Sequence, residues 1–281
     1  MTWLSFGVFG VAVFIVGLWG LGRWRWSAKA QVLLERLEAT RARAAVKRFD
    51  PGELDGLPEP VARHLRAAIP PGTPIIRAVD VTHQGSFNTS ETGERWRPFT
   101  SRQHVVTRRP GFVWDARVSM APGLAVHVHD AYVGGEGILE PALLGLFSLA
   151  RLRDRGEMAR GELMRFVAEA AWYPTALLPS QGLQWERIDA NSARATLVDG
   201  AIRVCLSFHF GADGLLDRVR AESRGRMVGD QCIPTPWEGR MSNYQRRDGL
   251  LIPLDGEVAW LTPAGRLPYW RGTITELSYE R

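Results

Sequence analysis

The chain has 281 residues, 45% of them hydrophobic and 23% charged, and a formal net charge of +5. That balance excludes a disordered polyelectrolyte and a multi-span membrane protein, and the length allows one large domain or two small ones. The excess charge is local: residues 1–22 carry none, residues 23–48 hold eight basic and two acidic side chains, and residues 49–281 hold 27 basic against 28 acidic. A nucleic-acid partner, which needs a basic face on the folded domain, is thereby excluded.

Trp3 to Gly22 is an uncharged run of about 20 residues, which at ~1.5 Å per helical residue spans ~30 Å, the thickness of a bilayer core. A cleaved secretory signal needs a basic start, a shorter apolar core and a small-residue cleavage site, whereas this run ends in Leu18, Trp19 and Leu21. Residues 1–22 therefore read as a retained transmembrane anchor. Arg23, Trp24, Arg25 and Trp26 suit an interfacial belt, and all the basic residues follow the span. The positive-inside rule then places the protein at the inner or plasma membrane as a single-pass chain with its large domain in the cytoplasm.

Residues 23–48 read as a basic juxtamembrane helix, with Leu33, Leu37 and Ala44 at helical spacing. Two readings stand: a helix lying on anionic headgroups, or a solvated spacer. Asp50-Pro51-Gly52 breaks it, and Pro58 to Ile69 predicts a short helix with Val61, Leu65 and Ile69 on one face.

From Pro74 onward the period is two. Val79, Val81, His83 and Phe87 alternate, as do Phe112, Trp114, Ala116 and Val118, then Leu124, Val126, Val128, Asp130 and Tyr132. Further strands are expected at 183–189, 192–198, 201–210, 214–226, 237–247, 256–262 and 268–280, with Asp199-Gly200 as the strongest hairpin turn and Asp213-Gly214 and Asp248-Gly249 as weaker ones. Between them, Pro141 to Leu152 and Gly161 to Ala171 read as an inserted helical pair. The fold class is thus α+β: a transmembrane helix, then one β-rich domain over 49–281 built on a large curved antiparallel sheet, half-barrel or barrel-like, with helices against its concave face.

Three groups of residues are candidates for chemistry. His127 and His129 flank Val128 before Asp130, and in a strand they share a face about 7 Å apart. With His104 or Glu136 they suggest a metal or acid/base enzyme, against the simpler reading of a polar solvent face. Glu162, Arg165 and Glu169 share a helical face beside Tyr132 and Trp172, either to orient a ligand head group or as a surface ion-pair ladder. Trp237, Tyr244, Trp260, Tyr269 and Trp270 crowd the last strands, as an aromatic cavity wall or an aromatic core. No nucleophile elbow, phosphate loop or dinucleotide fingerprint is present. Cys205 and Cys232 read as buried or partly buried free thiols.

The segments LPEPVARHLR (57–66), DAYVGGEG (130–137), RGELMRFVAEAAWYPTALLP (160–179), TPWEGRMSNY (235–244), GEVAW (256–260) and LPYWRG (267–272) together resemble a bacterial family classed as a domain of unknown function, whose members often carry an N-terminal membrane segment. The resemblance supplies no activity and no catalytic residues. The coarse layout is also similar to the half-barrel of lipoprotein-carrier proteins. The leading expectation is a membrane-tethered binding domain for a lipid or other apolar small molecule, without cofactor or metal, lined by Tyr132, Arg165, Glu169, Trp172, Trp237, Tyr244 and Trp260. The alternatives are the His127/His129/Asp130 enzyme and a membrane-tethered protein-interaction module of unknown partner.

Overall fold

A computed structural model describes the backbone of residues 2–42, 47–90 and 93–281, with side chains from residue 16 onward. Its frame is a 14-stranded antiparallel sheet. The strands are β1 (Ala78–Asn88), β2 (Trp96–Val106), β3 (Gly111–Ala121), β4 (Leu124–Val133), β5 (Glu136–Leu143), β6 (Phe147–Ser148), β7 (Leu152–Asp154), β8 (Gln184–Arg187), β9 (Ser192–Asp199), β10 (Ile202–Phe210), β11 (Leu216–Val228), β12 (Gln231–Arg247), β13 (Leu250–Thr262) and β14 (Gly265–Glu280). Their spatial order is β6-β5-β4-β3-β2-β1-β14-β13-β12-β11-β10-β9-β8, with β7 paired to β5 off this path. Two meanders are therefore joined where the last strand closes onto the first.

Period-two burial explains each strand: Phe112, Trp114, Ala116 and Val118 of β3 all enter the main core. The turns are where Asp-Gly predicted them. Gly200 and Gly214 have φ of 60° and 80°, and Asp248-Gly249 has φ of 48° and 85°, the left-handed pair of a tight hairpin.

Two helices lie on the concave face: α2 (Glu59–Ala68) and α3 (Glu157–Glu169). Helix α3 touches β3, β4 and β5 on one side and β10 and β11 on the other, so the sheet curls around it. At one end the curl is nearly closed. There the Tyr132 hydroxyl of β4 donates to Asp199 of β9 at 2.7 Å, and Arg109 donates to the same carboxylate at 2.6 Å. Leu65, Ile69, Tyr173, Leu177 and Leu178 fill the space beneath, all essentially without exposure. The opposite end stays open.

The inserted pair of helices is corrected to one. Pro141 to Leu152 is the end of β5, a turn, β6 and the start of β7. Leu144 and Gly145 take φ of 54° and 70°, a reversal no helix tolerates, and the apolar run has no 3.6 period. Helix α3 also starts earlier than expected, because Asp154 accepts from the N–H groups of Gly156 and Ala159 at 2.9 and 3.2 Å. Three short 3₁₀ turns, Ala170–Trp172, Pro174–Leu177 and Pro179–Gln181, follow it.

Helix α1 (Thr2–Ala39) runs unbroken through the boundary expected at residue 22. Its second half is neither a headgroup-lying helix nor a solvated spacer. Trp26, Leu33 and Leu37 recur on one face and are buried against the convex side of the sheet, where Leu33 and Leu37 join Ala78, Val106, Val113, Ala131, Val133 and Ile138. Ion pairs Arg36–Glu136 at 2.5 Å and Arg41–Glu280 at 2.5 Å clamp its end. Ala44 lies outside the described residues. Among the described residues no helix is long and apolar enough to cross a membrane. The expected span, 1–22, falls mostly on residues whose side chains lie outside that set.

Candidate functional site

The centre of the concave face holds two buried arginines and three carboxylates. Arg165 projects from α3 toward β2, β3 and β4. Its Nη1 donates to Asp130 at 2.7 Å, its Nε to Glu169 at 2.6 Å and its Nη2 to Gln103 at 3.2 Å. Its planar group lies 4.7 Å from the centre of Phe112 and 5.1 Å from Trp114. Gln103 turns its amide to Glu169 at 2.6 Å, which completes a closed ring of bonds. Arg224 of β11 donates to Glu162 at 3.1 Å and lies over Trp237. The row Glu162, Arg165, Glu169 is thus not a surface ladder, because the strands curl over the helical face that carries it.

Two acceptor atoms are left over. Asp130 Oδ1 and Glu162 Oε2 are buried without a donor. Burial first, and then the charge of Asp130, push the Glu162 carboxyl up to about 8, against the pull of Arg224 and Arg165. Nearby His83 is held at about 3 by burial and by Arg165, so it is a neutral ring packed on Trp172 and Trp270.

Two cavities meet at this cluster. The smaller, about 90 Å³, is lined by Arg165, Glu169, Trp172, Trp237, Met241 and Trp270, among others. At ~30 Å³ per molecule it has room for roughly three waters, which would satisfy the unpartnered indole N–H groups of Trp114 and Trp172. The larger is a cleft of about 820 Å³. Phe87, Trp114, Val118, Val128, Leu139, Trp260, Leu267 and Tyr269 form apolar walls, and Asp130, Glu162 and Arg224 form its charged floor. Glycine shapes the wall of the smaller cavity: a Cβ on Gly272 would collide with the Trp270 indole, which instead lies flat along the sheet.

Of the seven residues expected to bind a ligand, Arg165, Glu169, Trp172 and Trp237 surround the small cavity and Trp260 lines the cleft. Tyr132 and Tyr244 line neither. The Tyr132 hydroxyl is spent on Asp199 at the closed end, and Tyr244 packs on His64 and donates to the Leu216 carbonyl at 2.8 Å. Phe87, Trp114 and Arg224 are the members sequence reasoning left out, whereas Glu162 was read in the helical row and Asp130 with the histidine pair. The signal shared by the three was inward parity on β1, β3 and β11, which becomes spatial only once the curl is known.

The histidine pair takes a different place. His127 and His129 share a face, as period two requires, but it is the convex one, opposite Asp130. The Trp26 indole stacks on His129 with centroids 3.8 Å apart, and its N–H donates to Asp115 at 2.8 Å. Burial holds His129 at about 3. His104 is bonded between Asp80 and Glu38, and Glu136 is paired with Arg36. Among the described residues no three His, Cys, Asp or Glu side chains converge as metal ligands. Cys205 and Cys232 are exposed, in correction of the buried reading: Cys205 points away from the core on β10, whose Val204, Leu206 and Phe208 face inward.

No curated protein matches the sequence. Among solved structures, the chain is similar to the LolA superfamily protein NE2245 from Nitrosomonas europaea, at 9% identity over 79% of this chain and 93% of that one, with a TM-score of 0.34. The motif segments from LPEPVARHLR to LPYWRG fall within residues 55–279, which match a family model, and the chain belongs to that family, the Family of unknown function (DUF6920).

Proposed function

We propose that the protein is a membrane-tethered binding domain that holds a lipid or other apolar small molecule in the concave cleft. The observation that carries this reading is the cleft itself. Its volume of about 820 Å³ lies within the ~300–1,000 Å³ usual for ligand sites. Aromatic and aliphatic side chains from β1, β3, β4, β5, β13 and β14 wall it, and its floor offers unpartnered carboxyl oxygens beside Arg224. An amphiphile fits that division: its tail lies along Val118, Val128, Leu139 and Leu267, and its polar end meets Asp130 and Glu162. The tether is the uncharged run of α1, and the basic residues after it favour the cytoplasmic side.

The test is mass spectrometry of lipids co-purified with the full chain, alongside a displacement titration with a fluorescent long-chain alcohol, whose hydroxyl can donate to the unpartnered carboxyl oxygens of the floor. A bound amphiphile near one per chain, lost in Val128→Trp, which fills the cleft, is the expected result. No co-purified amphiphile and no dye binding would overturn the reading. The side of the membrane has its own test, because Cys205 and Cys232 are exposed. A membrane-impermeant maleimide should label them in lysed cells and not in intact ones.

A further inference from the structure

We propose that the open end of the sheet is itself a membrane-docking surface, so that the cleft faces the bilayer. This rests on the tether reading for its starting point and adds contacts the tether does not supply. Helix α1 runs along the back of β3 and β4 from their hairpin end to the far end. Gly22 packs on Leu144 and Leu146 in the β5–β6 turn, and Gly123 in the β3–β4 turn packs on the Trp19 ring. Farther along, Trp26 covers His129, and Thr40 reaches Gly134 in the turn after β4. The part of α1 before Gly22 therefore leaves the body at the hairpin end, where the uncharged run lies.

That end is apolar where solvent would be expected. Trp19, Trp24, Leu124, Phe147 and Leu149 are exposed there, Phe147 to 59% and Leu149 to 58%. They come from three segments, 16–29, 117–128 and 142–151, which contain Arg23, Arg25, Lys29, Arg117 and Arg151 and no Asp or Glu, whereas Arg153 just beyond is paired with Glu140. Apolar tips ringed by bases and interleaved with tryptophan fit one partner, an anionic lipid surface. The cleft opens on the same side. Its rim on that side is formed by residues close to hairpin turns: Asn88 to Ser90 after β1, Met227 and Cys232 around the β11–β12 turn, and Trp260 and Leu267 around the β13–β14 turn. A molecule leaving the bilayer there enters the cleft without crossing water.

Depth measurement tests this. In the full chain, with Cys205→Ser and Cys232→Ser, a single nitroxide-labelled cysteine is placed in turn at Val16, Leu124, Phe147, Leu149 and Ile188, which is exposed on the loop after the edge strand β8. The protein is reconstituted in phosphatidylcholine vesicles containing one quarter phosphatidylglycerol. Labels at 124, 147 and 149 should relax faster with oxygen than with a water-soluble nickel chelate, and the label at 188 the reverse. Aqueous readings at all three hairpin positions with a lipid reading at 16 would sink the docking surface and leave the tether standing. Lipid readings at the hairpins with an aqueous reading at 16 would do the opposite. Labels at the hairpins shielded from both reagents would mean that a second copy covers the patch, which also overturns the proposal.

Discussion

Glu162 and Glu238 are both buried glutamates, one on each face of the same sheet, and they are treated in opposite ways. Removal from water opposes the charge on both. On the convex face, Arg220, Arg240 and Arg266 donate to Glu238 at 2.8, 2.8 and 3.0 Å and hold it down at about 2. Arg266 and Arg271 also bond Glu257, which knits β11 to β14 into a satisfied ionic lattice. On the concave face, Glu162 has one guanidinium partner, a carboxylate neighbour and a spare oxygen, and rises to about 8. The convex cluster finishes its own hydrogen bonding. The concave one is left with capacity for something else, and that is the physical difference between a brace and a site.

The comparison can be broken most forcefully at Arg165. Arg165→Met leaves Asp130, Glu169 and Gln103 without their common donor in a pocket largely closed to bulk solvent, which should cost about 3–5 kcal/mol in urea denaturation. A loss below about 1 kcal/mol would mean that the cluster is wet and its charges screened. Trp26→Ala comes next. It strips the cover from His129 and should cost about 3 kcal/mol, seen as faster amide exchange confined to 23–39. The same contact weakens with acid. His129 has a depressed folded value, so its contribution is full above pH 6.5 and is lost as the pH falls toward about 3.

Glu162→Gln sharpens the contrast without removing bulk. The raised folded value means that wild-type stability from this group is full below about 4.5 and declines as the pH rises through about 8. The variant should lose that slope between pH 5 and 8.5, whereas Glu238→Gln should not reproduce the loss. The smallest effect belongs to Arg220→Ala. Its guanidinium is partly exposed and Glu238 retains two other donors, so the cost should stay near or below about 1 kcal/mol.

Much of the frame was legible from residue pattern. Period-two runs and Asp-Gly turns gave most strands within a few residues, because each mechanism is local. What failed was also physical. Pro141–Leu152 is apolar on most sides, and apolarity spread over several faces does not distinguish strand from helix. The Glu162–Arg165–Glu169 spacing was read correctly, yet its burial depends on β2, β4 and β11, whose contacts with it come from as far as 66 residues away. Tyr132 was placed in the site by parity, and Tyr244 by its place among the aromatics of the last strands. Both do face inward, but at a level of the sheet where other residues claim their hydroxyls. The second half of α1 was misread because the stripe of Trp26, Leu33 and Leu37 is narrow, and a narrow stripe matches a flat sheet as well as a headgroup layer.

The clasp of Tyr132, Arg109 and Asp199 has a consequence for traffic. With one end of the curled sheet drawn shut and packed by Leu65, Leu177 and Leu178, the cavity is a flask and not a pipe. A flask has no throughput. Under the proposed binding role, whatever enters must leave by the same neck, and a second molecule waits until the first is gone. Occupancy then depends on what stands at the neck, so unloading calls for a competitor or an acceptor on the side where loading took place.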